Sequence, residues 1–418
     1  MSLEKRKILK NIKKLIKPLC NNCIFMWQAR VDESDVLTKT FSILNIVVYK
    51  RVMSETYIKD YQGRRLVRIL ELNKTYDKAM IKKYEDKVKK HDLELKAYSD
   101  IFIFSSNSGE IYLFLTYVLK PFIEKTNSKN LLFILTKNYH IDILNLLDIK
   151  VPYILVEDIG LFYGKIKTID KQRFFTIFTS SYFMKVEDLI RNSKLDNAHY
   201  FDLMLKHLDI SKDSLDYKKV NLNTAFSKKA KNAMLEKIQS INLNLENFVI
   251  LAPEAASCKS IKASFWKELT KALEAKGIDI FINAVHKNSD IKLTRYKHCY
   301  LSLSEVYMLA RLSLGVVGLR SGLLENLLQA DVPIFALYTS FKNRSLFNAL
   351  DSKHVFAGFN LSYLPSVNKS LLFEMDIENK DVSEVVKIIV SETSLKAGGD
   401  NNTSNKNAKM ALYDSYRI

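Results

Sequence analysis

Three short stretches carry residue types and spacings that can do chemistry. The first is "GVVGLRSGLLENLLQA" at 315–330, where three of the chain's eleven glycines fall within eight positions and enclose Arg320 and Ser321. The glycines let the backbone turn tightly and approach a ligand closely. N–H groups opening a helix at about Leu323 can hold a phosphate, and Arg320 adds a bidentate donor. The alternative is structural: Ser321 caps the helix and Glu325 reaches back, although a capping box spaces these residues by three rather than four. Gly318 closes the preceding strand and Gly322 opens the turn.

The second stretch is "SSNSGEIY" at 105–112. Gly109 permits a turn, and Glu110 sits at the start of a helix. Its carboxylate either complements the helix dipole or takes a proton from an acceptor hydroxyl as general base. The third is "LAPEAASCKSIKASFW" at 251–266, a small-residue loop carrying Ser257, Lys259 and Lys262 ahead of Phe265 and Trp266. Lysines in such a loop suit a diphosphate or are simply solvated. His140 and His199 stand alone in "TKNYHIDIL" and "DNAHYFDLM", where a satisfied structural histidine is the commoner case. Cys20 and Cys23 have zinc-ligand spacing, but no second pair completes a tetrahedral site, and they read as ordinary thiols. No GxGxxG, Walker A, Ser-His-Asp or HExxH pattern occurs, and no metal-ligating set is expected. The absence of a DxD among apolar residues argues against a metal-dependent transferase of the single-domain kind.

These stretches need elements to position them. From Asp100 the sequence alternates strand and helix: "DIFIFSS", "GEIYLFLTYVLKPFIEKT", "NLLFILTK", "YHIDILNLLDI", "PYILVE" and "FFTIFTS". After a polar helical stretch the rhythm restarts with "NFVILAPE", "FWKELTKALEAKG", "IDIFINAV", "HCYLSL", "SEVYMLARL" capped by Ser304, "GVVGL", "LLENLLQA" and a last strand "PIFALYT". Continuous apolar strands alternating with helices specify parallel sheets covered on both faces. In such sheets ligands sit beyond the carboxyl ends of the strands, where all three stretches lie. The expected fold is α/β, two Rossmann-like domains behind a basic helical N-terminal arm. The expected limits are 1–98 for the arm with a small β and helical extension, 99–240 and 241–394 for the two domains, and 395–418 for a disordered tail.

The order of motifs resembles the GT-B glycosyltransferases, and within them the heptosyltransferase-like enzymes of bacterial surface-polysaccharide assembly, across about 100–345. Those enzymes carry Gly-Asp before an apolar helix, a Lys shortly before a Trp in the second domain, and Asp-Ser-Gly-x-x-His near the donor phosphates. Gly109-Glu110, Lys262 with Trp266, and Arg320-Ser321-Gly322-Leu323-Leu324-Glu325 take those places here. The resemblance implies that Glu110 acts as base and that Lys262 and the Ser321-Gly322 turn hold the donor diphosphate. Ser257 and Gly318 are further candidates on the donor side, and Gly109, His140 and His199 are the candidates on the acceptor side. Arg320 stands where the family has an acid, and Glu325 where it has a histidine. The guanidinium then fits a donor with more phosphate charge, and Glu325 would accept from ribose or sugar hydroxyls.

Charge and composition frame the partner. The 418 residues carry a formal charge of +18 and are 47% hydrophobic, which excludes global disorder and calls for an anionic partner. The first twenty residues hold seven basic side chains against one acid. Ile8, Leu9, Ile12, Leu15, Ile16 and Leu19 fall on one helical face, a pattern suited to an anionic bilayer surface or to packing on the chain's own domain. Zinc-finger, RNP and KH signatures are lacking, so no nucleic acid is expected. Neither a membrane-spanning run nor a secretory signal is evident, and four cysteines form no disulfide framework. The expectation is a cytoplasmic glycosyltransferase, peripheral on the inner face of the plasma membrane, with a nucleotide-sugar as co-substrate and no other cofactor. It would act metal-independently on a lipid-linked or saccharide acceptor in lipopolysaccharide or capsule assembly. A transferase of another phosphorylated group onto such glycans, or a non-catalytic membrane scaffold, is the alternative.

Overall fold

In the computed structural model the described residues are three backbone strands within 25–54, and 97–398 apart from 106, 157–172, 177–189, 191–198, 222–227, 285–295 and 343–349. The expected basic helix, Cys20 and Cys23, and the tail after 398 lie outside them. Strands β1 (Phe25–Val31), β2 (Val36–Ile43) and β3 (Ile46–Ser54) form an antiparallel sheet in sequence order.

The first α/β half runs β4 (Asp100–Phe104), α1 (Ser108–Leu113), α2 (Leu119–Thr126), β5 (Leu131–Leu135), α3 (Asn138–Leu146), β6 (Tyr153–Leu155) and β7 (Arg173–Thr176). One π turn, Phe114–Val118, joins α1 to α2. All four strands are parallel, in the order β6-β5-β4-β7. Helices α4 (Tyr200–Leu208) and α5 (Lys228–Ser240) lead to the second half. That half comprises β8 (Phe248–Ala252), α6 (Ala263–Glu274), β9 (Asp279–Ile282), β10 (Lys297–His298), α7 (Leu303–Ala310), β11 (Val316–Leu319), α8 (Gly322–Leu327), β12 (Ile334–Tyr338), α9 (Ser352–Phe359), β13 (Leu372–Asp376) and α10 (Val382–Gly398). Its strands are also all parallel, in the order β10-β9-β8-β11-β12-β13. Renumbered from β8, this is the doubly wound 3-2-1-4-5-6 order of a dinucleotide-binding sheet. The expected fold class is therefore the observed one, with two parallel sheets each carrying fully buried central strands such as β4, β8 and β12.

Three local expectations are corrected. Ser302, not Ser304, caps α7, because Glu305 lies three residues on and completes a capping box, while Ser304 is already inside the first turn. The run "HCYLSL" contributes only His298 to a strand. Strand β13 was not expected: Glu374 and Asp376 interrupt its apolar run, which an edge strand tolerates because one side of it is wet.

The two halves share one hydrophobic cluster, in which Phe102, Ile111 and Leu113 join Leu324, Leu327 and Ala330. Trp266, Leu269 and Ile389 belong to a second cluster on the other face of the larger sheet. The halves come closest where the first turns of α1 and α8 meet. A Cβ on Gly322 would lie 2.5 Å from the Gly109 nitrogen, and one on Gly109 would lie 3.0 Å from the Gly322 Cα. Neither glycine has a positive φ. The glycines expected to free a turn are thus required by contact between two backbones. Gly318 is similarly hemmed in, with Leu324 and Ala252 against the place of its Cβ.

Because backbone cannot rotate out of the way, Gly322→Ala must push the two helices apart. Overpacking of this kind costs about 1–3 kcal/mol, and thermal unfolding of the variant is expected to shift down by several degrees. An unchanged melting temperature would show that the helices separate freely.

Candidate active site

A cavity of about 330 Å³ opens at the carboxyl ends of the strands where the two halves meet. The first half lines it with Asn107, Ser108 and Glu110 after β4, Tyr139 at the start of α3, and Tyr200 at the start of α4. The second half supplies residues 254–258 after β8, Asn283 after β9, Tyr300 after β10 and Arg320–Leu323 after β11. Strand order in the larger sheet reverses between β8 and β11, and the crevice at such a reversal is where open parallel sheets take their ligands.

The loop after β8 is pinned from behind. The Lys259 N–H donates to the Ser340 carbonyl at 2.8 Å, and the Lys342 N–H to that of Ser257 at 2.6 Å. The thiol of Cys258, buried, donates to the Arg320 carbonyl at 3.2 Å. Burial pushes that thiol up to about 11, so it stays protonated.

Glu110 is half-buried in the first turn of α1 and lines the cavity. Burial pushes its carboxyl up from 4.5 to about 7. The negative charge of Glu325 adds to the rise; its own backbone N–H, Arg320 and the Asn107 side chain oppose it. A carboxyl in this range exchanges a proton near neutrality, which an ordinary surface glutamate does not.

Arg320 is only 7% exposed and Glu325 only 3%. The guanidinium is engaged through two of its nitrogens: Nη2 donates to Glu325 Oε1 at 2.6 Å, and Nε to the Phe359 carbonyl at 2.9 Å. Tyr200 completes the group. Its hydroxyl donates to Glu325 Oε1 and accepts from Arg320 Nη2 at 3.4 Å, while its ring stacks on Phe359 with centroids 5.0 Å apart. Arg320, expected as a donor for phosphate, lines the cavity and is held in an internal ion pair, since a buried guanidinium needs a counter-charge within the protein. Glu325 is not presented to sugar hydroxyls through Oε1, and it does not reach back to cap α8. Ser321 occupies the cap position with no side-chain capping bond, and its buried hydroxyl has no hydrogen-bond partner.

The remaining expected residues divide. Ser257, Ser321 and Gly322 line the cavity. Lys262 is exposed just before α6 and is not among the lining residues, nor is Gly318. His140, fully buried, accepts the Thr136 N–H at 3.4 Å and does not reach the cavity. His199 caps α4: Nδ1 accepts from the Phe201 N–H at 3.2 Å, so Nε2 carries the proton and donates to the Asn360 carbonyl at 2.9 Å. Burial pushes this imidazole down to about 3, and it remains neutral. Its service is indirect, because capping α4 fixes Tyr200 as the next residue. Tyr200 itself, Asn107, Tyr139 and Tyr300 were missed by the sequence reading. Only their adjacency to His199, Glu110, His140 and the end of a short strand pointed to them.

No family model matches the sequence, and no curated protein matches it. The fold is similar to that of solved glycosyltransferases. Escherichia coli ADP-heptose lipopolysaccharide heptosyltransferase II aligns at 12% identity over 71% of this chain and 99% of its own, with a TM-score of 0.45. The glycosyl transferase family 9 protein of Veillonella parvula aligns at 10% identity over 77% and 99%, TM-score 0.39. The iron-containing dodecameric glycosyltransferase TibC of enterotoxigenic E. coli aligns at 12% over 76% of each chain, TM-score 0.40. Among the described residues no group of three or more His, Cys, Asp and Glu side chains is arranged to hold a metal ion.

Between pH 4.5 and about 7 the folded protein keeps a proton on Glu110 that the unfolded chain has lost. Folding stability therefore falls as pH rises through that window, by up to about 3 kcal/mol from this group. Glu110→Gln removes the dependence. The variant is expected to match the wild type near pH 4 and to melt at a higher temperature at pH 8; equal melting temperatures at pH 8 would show that the carboxyl is not held above its ordinary range.

Proposed function

We propose that the chain is a GT-B-type glycosyltransferase that moves a sugar from a nucleotide-sugar donor to a lipid-linked or saccharide acceptor. The observation that carries the reading is Glu110, a carboxyl raised to about 7 on the wall of a cavity built from the strand ends of two parallel sheets. A base must lie where the acceptor proton is and must exchange it at working pH, which fits a carboxyl of this kind on the cavity wall.

In this reading an acceptor hydroxyl lies against Glu110 and attacks the anomeric carbon of the donor sugar. The acceptor oxygen–carbon bond forms, the bond from that carbon to the diphosphate breaks, and the hydroxyl proton passes to Glu110. The leaving diphosphate carries the developing charge, which oriented N–H and O–H donors stabilise best because they need no reorganisation. The loop at 254–258 with Ser257, and the start of α8 with Ser321, offer such donors. In this reading Arg320 stays on Glu325 and the Phe359 carbonyl. The transfer is read as metal-independent, following from the lack of a DxD among apolar residues. The acceptor belongs to lipopolysaccharide, capsule or a related surface glycan. Residues 1–20, with seven basic side chains, hold the enzyme to the anionic inner face of the plasma membrane. No helix among the described residues is long and apolar enough to cross a membrane.

Calorimetry with a panel of nucleotide-sugars identifies the donor, and turnover is then measured with it. Glu110→Gln should retain donor binding and lose about 10²–10⁴-fold in kcat. The wild-type kcat/KM should climb with pH and level off above about 7, since the base works deprotonated. Near-normal turnover by the variant would remove Glu110 from the chemistry. Binding of only nucleotide-linked polyols would replace the sugar donor by another phosphorylated group.

A further inference from the structure

We propose that Glu325 is a positioning residue that acts through Glu110, held by Arg320 and Tyr200 so that one carboxylate oxygen faces the backbone of Gly109. The inference rests on the reading of Glu110 as the base, and it assigns Arg320 and Glu325 to the service of that base rather than to the donor.

The geometry separates the two ends of the Glu325 carboxylate. Oε1 takes both protein donors, Arg320 Nη2 at 2.6 Å and the Tyr200 hydroxyl. Oε2 is turned towards the first turn of α1, so close that a Cβ on Gly109 would lie 1.6 Å from it. Glycine at 109 is what makes room for this carboxylate oxygen, one residue before Glu110. The guanidinium points elsewhere, its Nε to the Phe359 carbonyl at 2.9 Å and its face near the Tyr200 ring. The pair is therefore not neutral as seen from Glu110. Its negative end is aimed at α1, and its positive end lies between the Phe359 carbonyl and Tyr200.

The other groups around Glu110 do not duplicate this. Asn107, in the turn before α1, hydrogen-bonds its carboxylate and favours the charged form. Tyr139, across the cavity at the start of α3, and Tyr200, at the start of α4, are phenols whose ionisation Glu110 itself opposes; both stay neutral near pH 7. Glu325 and Arg320 are thus the charged neighbours with opposite influence on its proton: Glu325 favours keeping it, Arg320 favours losing it.

Two isosteric substitutions must then act in opposite directions. Glu325→Gln removes the near negative charge and leaves the cation, so the Glu110 midpoint should fall by roughly one unit or more. Arg320→Gln removes the cation and leaves the carboxylate, so the midpoint should rise above the wild-type value of about 7. The readout is the carboxyl carbon shift of the full chain labelled with ¹³Cδ-glutamate, with the Glu110 signal assigned by its loss in Glu110→Gln. Either single variant leaves a buried partner unmatched and can fail to fold. The double variant Arg320→Gln with Glu325→Gln leaves neither partner unmatched and should place the midpoint below the wild type's and above that of Glu325→Gln, because Glu325 outweighs Arg320 in its influence on Glu110. Given an active donor, the acidic limb of kcat/KM should move with each midpoint, with kcat affected more than KM. Midpoints that move in the same direction, or a double variant indistinguishable from the wild type, would overturn the inference. If the midpoints move as stated but no nucleotide-sugar is turned over by the wild type, the coupling stands and the glycosyltransferase reading fails.

Discussion

The arrangement of the site depends on how a guanidinium is accommodated under the floor of a cavity. Arg320 ends β11 with its side chain turned into protein, and its charge cannot be left unmatched there. Meeting that need draws in three other parts of the chain. Glu325 comes from the next helix, Tyr200 from the start of α4, and the Phe359 carbonyl from the end of α9. Of these, Tyr200 ties the second half to the first. Tyr200 is placed by the His199 cap, and Phe359 by stacking on Tyr200. Removing any one of them would leave an orphaned polar group in a dry place, which is why the network specifies one arrangement and not several.

The same network explains two glycines that sequence logic assigns to turns. Gly109 and Gly322 have ordinary backbone angles, and what they lack is bulk. The carboxylate that answers Arg320 needs space against α1, and the helix that carries this carboxylate must start almost in contact with α1. Two glycines facing each other across the junction satisfy both demands. Around them the shared cluster of Ile111, Leu113, Leu324 and Leu327 excludes water, so the junction is a packed seam. Access to the cavity is accordingly from its mouth, where Tyr300 is 57% exposed, and not along the seam.

Much of the frame was legible in the sequence for one reason. Fully covered parallel strands must be apolar on both faces, so "DIFIF", "FVILA" and "IFALY" declare themselves without help from periodicity. Their carboxyl ends then locate Glu110, Ser257 and the 320–322 turn. What stayed hidden is pairing over long sequence distances. Nothing local to Arg320 says that a tyrosine 120 positions upstream and a carbonyl 39 downstream will take its N–H groups. The place of Lys262 was hidden for a related reason: its spacing from Trp266 is a property of the helix that follows, and the residue lies exposed just before that helix. Ser302 was passed over for Ser304 although Glu305 stands at capping-box distance from the former alone.

The distribution of charge separates two tasks that the net value of +18 would merge. The described ionisable lining of the cavity is acidic: Glu110, Glu254 and Glu325 against Arg320, whose charge is already answered. An acidic, hydroxyl-rich pocket does not gain affinity from the chain's overall positive charge, because screening at physiological salt cuts distant exposed charges to little beyond about 8 Å. The basic surplus can therefore act on a separate anionic surface, most densely through the first twenty residues, without altering the proton balance at Glu110. Within the cavity that balance is set first by burial and then by close charged neighbours, and of these Glu325 is the one that favours the proton.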